Sequence, residues 1–299
     1  MEDWFAAGER IMVIPAKEDD STHSDGFHIF CQIVGTGSWL TFLHGFPTCS
    51  WDWVKLVDKL KVHYRLLMFD FLGFGDSDKP RDHQYSLFEQ ADFTEAIWRH
   101  LGVEKTGLVA HDYGDTVALE LLCRQKEGRL RTNIERVVML NGGIYVDYIQ
   151  PLRIQKLLQK PLFGAMISRI LSERMFKKRF TSIFSRLHPI SDSELSQHWH
   201  AIKRHKGVRN YHKLIQYLSE RQKFKARWES TLATCDIPIR FIWGLGDPVS
   251  GRNISEQIRK HLPQADLLEL PDVGHYPQLE VPDWVVEQLL RTFHKTKSD

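Results

Sequence analysis

The chain has 299 residues, 42% of them hydrophobic, which is apolar material enough for a sizeable core in one or two domains. No apolar run approaches the roughly 18 residues that cross a bilayer. The opening MEDWFAAGERIMVIP lacks the long apolar stretch of a secretion signal, so the expectation is a cytoplasmic protein without a transmembrane segment. The net charge of +2 conceals a segment, Gly143 to Leu232, with 18 Lys and Arg against 6 Asp and Glu, which leaves the remainder of the chain at −10. Such a block marks a separate module. A solvated helical surface accounts for it; attraction to an anionic substrate, lipid headgroups or nucleic acid are the alternatives.

In chain order, FHIFCQIVG and WLTFLHG read as strands, WDWVKLVDKL as a helix and YRLLMFDFLG as a strand. SLFEQADFTEAIWRHLG reads as a helix with Ser86 as N-cap, Glu89 completing a capping box and Gly102 as the stop. TGLVAHD is a short apolar strand, DTVALELLCRQ a helix and ERVVMLNGG a strand. Alternating strand and helix with short joints predicts a mostly parallel sheet covered on both faces. From Tyr145 to Trp228 the strand signals vanish and only helical pieces remain. Strands return in IPIRFIWG and ADLLELPDVG. The domain reading is therefore an α/β core over 1–142 and 233–299, interrupted by a helical cap over 143–232.

The sharpest chemical signal is LVAHDYGDTVALELL. An apolar strand runs into Asp112 and a helix begins at once, with small residues Ala110 and Gly114 two positions to either side. That is the layout of a nucleophile elbow, a turn so tight that bulk at those positions clashes. Asp112 as a simple helix N-cap is the competing reading. FLHGFPTCSWDW offers backbone donors: the N–H of Phe46, with that of Tyr113 after the nucleophile, would make an oxyanion hole, while His44 is expected to be structural. Asp247 follows a strand in FIWGLGDPVS, and His275 follows another in LLELPDVGHYPQLEVP. Each alone is compatible with turn chemistry. Together, in the order nucleophile, acid, base, they supply a complete set with Asp in place of Ser.

FLGFGDSDKP imitates a dinucleotide fingerprint, but Asp78 stands where the third glycine belongs and Lys79-Pro80 follow where a helix must start, so no cofactor is expected. His198, His200, His205 and His212 lack metal-site spacing, and Cys31, Cys49, Cys123 and Cys235 are scattered, so no metal is expected and four free thiols in a reducing compartment are.

HGFPT, FDFLGFGDSDKPR, HDYGD, NGG and HYPQLE resemble the α/β-hydrolase superfamily in its branch of epoxide hydrolases and haloalkane dehalogenases. The resemblance runs from about Gly26 to Phe293. It implies an α/β-hydrolase fold: an eight-stranded, mostly parallel sheet with a helical cap inserted after the sixth strand. It also implies catalytic roles for Asp112, Asp247 and His275. Strand six ends in Asn141 rather than a carboxylate, which favours Asp247 as the acid.

A carboxylate nucleophile narrows the substrate. Attack on a saturated carbon leaves an ester whose carbonyl belongs to the enzyme, and water can cleave that ester. The expected partner is a small apolar electrophile, an epoxide or alkyl halide, and not nucleic acid. An opening epoxide needs a proton donor. The cap offers Tyr148, Tyr211 and Tyr217, with Tyr145 at its hinge; Tyr217 is the first candidate and Tyr211 the second, both late in the cap. A leaving halide needs N–H donors, which relatives place where this chain has Tyr113 and Phe46, so epoxide hydrolysis leads. A dehalogenase, an esterase or a non-enzymatic binding protein on the same scaffold are the alternatives. Phe163, Phe176, Phe180, Phe184 and Trp199 line either a substrate pocket or the core of the cap.

Overall fold

The computed structural model describes residues 1–15 and 26–294. The first part of the chain gives α1 (Glu2–Ala7), β1 (Glu9–Val13), β2 (Phe27–Val34), β3 (Trp39–Leu43), α2 (Val54–Leu60), β4 (Arg65–Phe69), α3 (Leu87–Leu101), β5 (Lys105–His111), α4 (Tyr113–Lys126) and β6 (Asn133–Leu140). Only helices lie between β6 and the next strand: α5 (Arg153–Leu158), α6 (Pro161–Ile170), α7 (Glu173–Thr181), α8 (Asp192–Lys203), α9 (Tyr211–Leu214) and α10 (Tyr217–Thr234), with short 3-10 turns among them. The chain then returns to the sheet with β7 (Ile239–Gly244), α11 (Arg252–His261), β8 (Asp266–Leu270), α12 (Pro277–Glu280) and α13 (Pro282–Phe293).

The eight strands form one sheet in the order β1-β2-β4-β3-β5-β6-β7-β8. The β1–β2 and β2–β4 pairings are antiparallel and all others parallel. The central strands are apolar on both faces, as a sheet sandwiched by helices requires: Leu40, Phe42, Leu66, Met68, Val109, Val138 and Ile242 face one helical layer, and Leu43, Leu67, Leu108, Ala110, Val137, Met139 and Phe241 the other.

Local signals in α3 hold with one change. Ser86 caps the helix, its Oγ accepting the Phe88 N–H, and Gly102 ends it at φ 66°. Glu89 does not close the predicted capping box; its carboxylate pairs with His83 at 2.8 Å. Glu220, on the cap helix α10, accepts the Leu87 N–H at 2.7 Å instead. A carboxylate from across the interface thus satisfies the first helical N–H, next to the Ser86 N–H that a capping box would pair.

Other charges seat the cap as well. Glu120, fully buried on α4, accepts from Arg124 of its own helix and, from α10, the Arg227 guanidinium and the Trp228 indole, at 2.8 to 3.1 Å. Asp76 receives Arg204 at 2.6 Å, and Lys55 reaches Glu194 at 2.5 Å. Among the described residues no helix is long and apolar enough to cross a membrane, and no cluster of three or more His, Cys, Asp or Glu is arranged to hold a metal ion.

Candidate active site

Strand β5 delivers Asp112 at its carboxyl end, where open α/β sheets expose their ligands. Asp112 takes φ 49° and ψ −101°, a conformation that non-glycine residues seldom adopt. Its side chain does not cap α4. It turns to the loop after β3 and accepts the Phe46 N–H at 3.0 Å. The N-cap reading of Asp112 is thereby excluded. The elbow needs its small flank: a Cβ on Gly114 would lie 2.2 Å from the Leu43 carbonyl oxygen. The Tyr113 N–H opens α4, one of the donors a helix leaves unpaired at its start. The Phe46 N–H is the backbone donor that meets the Asp112 carboxyl.

His44 is structural. Its Nε2 accepts the Phe71 N–H at 3.0 Å, which leaves Nδ1 to donate to the Gly45 carbonyl at 2.9 Å. Burial holds its pKa down to about 3. It fixes the loop that presents Phe46.

Asp247 and His275 come from the loops after β7 and β8 and meet there, with His275 Nδ1 2.7 Å from Asp247 Oδ2. Asp247 accepts three further hydrogen bonds, from Val249 N at 2.8 Å, Ser250 Oγ at 2.7 Å and Asn141 Nδ2 at 3.1 Å. Burial opposes its charge, but the His275 charge and these donors more than offset that, so its pKa is lowered. Burial likewise opposes a charged His275, yet attraction to Asp247, the hydrogen bond between them and the Asp112 charge raise its pKa to about 9. The His275 loop is pinned by Glu280, which accepts the Gly274 N–H at 2.8 Å and the Tyr276 N–H at 3.1 Å. The Nδ1 contact leaves Nε2 as the basic nitrogen of neutral His275.

The cap supplies the roof. The Tyr217 ring lies 5.6 Å from the Phe46 ring and 5.0 Å from Tyr113, and the Tyr211 ring lies 5.4 Å from Phe46. The Tyr211 hydroxyl donates to the Pro47 carbonyl at 2.8 Å. Burial and the Asp112 charge push the Tyr217 phenol far above its usual range, so it stays protonated. Tyr145 stacks on His261 instead, and Tyr148 is exposed.

Sequence reasoning missed Arg221. It lies one turn beyond Tyr217 on the same face of α10 and is fully buried. Its Nη2 donates to the Asp112 carbonyl at 2.7 Å and lies 3.8 Å from Asp112 Oδ1, while Nε donates to Thr116 Oγ1 at 2.7 Å. Its guanidinium sits 4.6 Å over the Tyr217 ring. Arg221 is thus a countercharge beside Asp112, and it also acts on Asp115, buried a turn into α4, whose pKa burial and the Asp112 charge nonetheless push well up. The one sequence signal was a cation at i+4 from the leading tyrosine. Asn141, set aside for lacking a carboxylate, also acts here: besides holding Asp247, it accepts the Gly244 N–H at 2.7 Å and ties β6 to β7.

The remaining motifs resolve as follows. The glycine turn of FLGFGDSDKP is wound around buried Asp70, which accepts the Ser50 and Asp76 N–H groups, while Lys79 Nζ donates to the Phe74, Gly75 and Ser77 carbonyls. The cap histidines have separate neighbours: His198 faces Asp52, His205 pairs with Asp76, and His200 reaches the Ser196 carbonyl. All four cysteines are free. Phe176, Phe180, Phe184 and Trp199 pack together and onto Tyr276, but Phe163 points to solvent. A groove of about 990 Å³ runs between α3, α4 and α10, lined by Asp92, Glu95, Glu120 and Arg124 among others, and touches none of the candidate catalytic residues.

A family model described as alpha/beta hydrolase fold matches residues 39–282. The mesoderm-specific transcript homolog protein of Bos taurus is 44% identical over 271 residues, covering 86% of this chain and 80% of that protein. Among solved structures, the epoxide hydrolase CorEH without ligand superposes with a TM-score of 0.71 at 19% identity, covering 96% of this chain and 98% of that one. The haloalkane dehalogenase DbeA from Bradyrhizobium elkani gives 0.76 at 19% identity, with 94% and 96% covered. The sheet order, the strained elbow and the span of the family match agree, and the chain belongs to the α/β-hydrolase fold family.

Proposed function

We propose that the protein is a hydrolase whose Asp112 carboxylate attacks a saturated carbon, and that its substrates are epoxides opened to diols. The observation that carries this reading is the position of Tyr217. It is a buried, protonated phenol packed on Phe46, whose N–H binds the Asp112 carboxylate, and on Tyr113, the residue that follows Asp112. Tyr211 contacts the same loop, but its proton is already committed to Pro47.

The steps follow from the groups present. An Asp112 oxygen bonds to an epoxide carbon, the ring C–O bond breaks, and the alkoxide takes the Tyr217 proton. Neutral His275 then removes a proton from water, and the hydroxide adds to the Asp112 carboxyl carbon. The oxyanion formed accepts the Phe46 and Tyr113 N–H groups, hydrogen bonds that strengthen as charge develops. Collapse expels the second alkoxide, which takes the proton from His275, and the new Asp112 carboxyl proton restores Tyr217. Asp247 holds the imidazole ring and balances its charge throughout. A departing halide would find no side-chain N–H at Tyr113 or Phe46, which favours the epoxide over the alkyl halide.

The test is diol formation from a panel of aryl and alkyl epoxides by the wild type and by Asp112→Ala. Turnover by the wild type that falls at least about 10⁴-fold in the variant is the expected result. A folded wild type that turns over none of them, or an Asp112→Ala that keeps its activity, would overturn the reading.

A further inference from the structure

Much of the basic surplus of the cap is concentrated in one stretch of sequence. Between Arg153 and Leu187 stand nine Lys or Arg and a single acidic residue, Glu173. Lys177 is matched, lying 3.3 Å from Glu173 and 2.9 Å from Asp192. The other eight form no ion pair among the described residues. Within this field apolar side chains face outward: Phe163 is 53% exposed, Met166 52% and Ile170 60%, with Leu157 and Met175 about them also exposed.

Phe163, Met166 and Ile170 recur at three- and four-residue spacing and so share one face of α6. The adjoining side of the helix is spent on the cap itself. Ile167 and Ser168 are buried, and Ser168 Oγ accepts the His212 N–H of α9 at 3.1 Å. A Cβ on Gly164 would meet the Leu158 carbonyl oxygen at 2.1 Å, so α6 sits tight on its neighbours. The helix is amphipathic twice over, with one apolar face buried and a second one open.

We propose that this face docks the protein on an anionic lipid surface, with Phe163, Met166 and Ile170 seated among the headgroups and Lys156, Lys160 and Arg169, exposed on α6 and on the segment leading into it, held against the lipid phosphates. Charge complementarity selects this occupant. A second copy would set the same cationic face against itself, and nucleic acid offers nothing for an apolar row to enter. An amphipathic helix flanked by cations matches both properties of an anionic bilayer surface, apolar below and negative above. The mode is peripheral, since α6 has ten residues and cannot span a bilayer. Beneath α6 lies α9, whose Tyr211 touches Phe46, so the docked face is one helix layer from the elbow. Docking does not depend on the reaction proposed above and is measured without it.

The experiment is co-sedimentation of the full chain with phosphatidylcholine vesicles, with and without phosphatidylserine. The expected result is binding to the anionic vesicles at least about tenfold above the neutral ones, weakened by added salt. Phe163→Ser/Met166→Ser/Ile170→Ser and Lys156→Ala/Lys160→Ala/Arg169→Ala should each cost about tenfold or more while the melting temperature stays near that of the parent. In Phe163→Trp, tryptophan emission should shift to the blue on adding anionic vesicles; this variant decides the matter if the triple variants fail to fold. A parent that ignores anionic vesicles, a folded apolar triple variant that binds as well as the parent, an unshifted Phe163→Trp, or binding to an acidic protein without binding to vesicles would each overturn the proposal.

Discussion

Asp112, Asp247 and His275 sit on loops that leave the ends of strands β5, β7 and β8, whereas Tyr211, Tyr217 and Arg221 ride on cap helices. The two groups are held differently. On the core side, backbone amides and buried polar side chains fix each group: Phe46 N on Asp112, three donors besides His275 on Asp247, and Glu280 on the His275 loop. On the cap side, ring packing and one guanidinium do the work. The core offers a charge-setting frame that a strand end can build alone. In the proposed reaction the cap would offer a proton and a lid, and would matter only while it is docked.

The largest way to break this pairing on the cap side is Tyr217→Phe. It leaves the ring and removes the proton, so ester formation with an epoxide should slow by about 10²–10⁴-fold, with a smaller effect for Tyr211→Phe. Single-turnover trapping of the Asp112 ester measures this; equal rates for Tyr217→Phe and wild type would remove Tyr217 from the reaction. Glu120→Ala strikes the seating of the cap rather than its chemistry. It leaves the buried Trp228 indole without its acceptor and takes one carboxylate from Arg124 and Arg227, which keep Asp92, Glu95 and Glu127, and should cost about 1–3 kcal/mol of stability, read by denaturant unfolding. A loss under about 1 kcal/mol would mean that the cap does not lean on this junction.

The smallest effect is one of pH, and it sharpens the division of labour. His275 titrates at about 9, above its ordinary value, because Asp247 and Asp112 favour its charge. The stability it contributes is therefore complete below the unfolded value of about 6.5 and lost as pH rises through about 9. Its activity as a base runs the other way, since only neutral His275 accepts a proton from water. Ester formation removes the Asp112 charge, so in the intermediate the midpoint should fall below 9. Hydrolysis of the ester, followed by mass, should accelerate with pH up to that midpoint and then level off; a rate independent of pH would contradict the role of His275.

How much of this the chain displayed in advance follows the same division. Strand-end residues are legible because an apolar run, a small residue and a polar residue must be contiguous, as in LVAHDYG; seven strands follow from such runs, while β1 is not read from the residues and the count of eight comes from the resemblance. Partners that arrive from elsewhere in the chain leave no such trace. Glu220 caps α3 from 133 residues away, and Arg221 reaches the Asp112 carbonyl across 109. Glu220 has no local pattern to betray it, and Arg221 only its place at i+4 from Tyr217. Phe163 shows the opposite limit, for composition grouped it with the cap aromatics while the helix register turned it outward.

The most direct test of a covalent Asp112 intermediate is a single turnover in ¹⁸O-water with enzyme in excess of an epoxide, followed by peptide mass analysis. If Asp112 is the nucleophile, the diol carries an enzyme oxygen, and the label enters the peptide containing Asp112. If the label appears in the diol and the peptide stays unlabelled, water attacked the epoxide directly and the central claim is wrong.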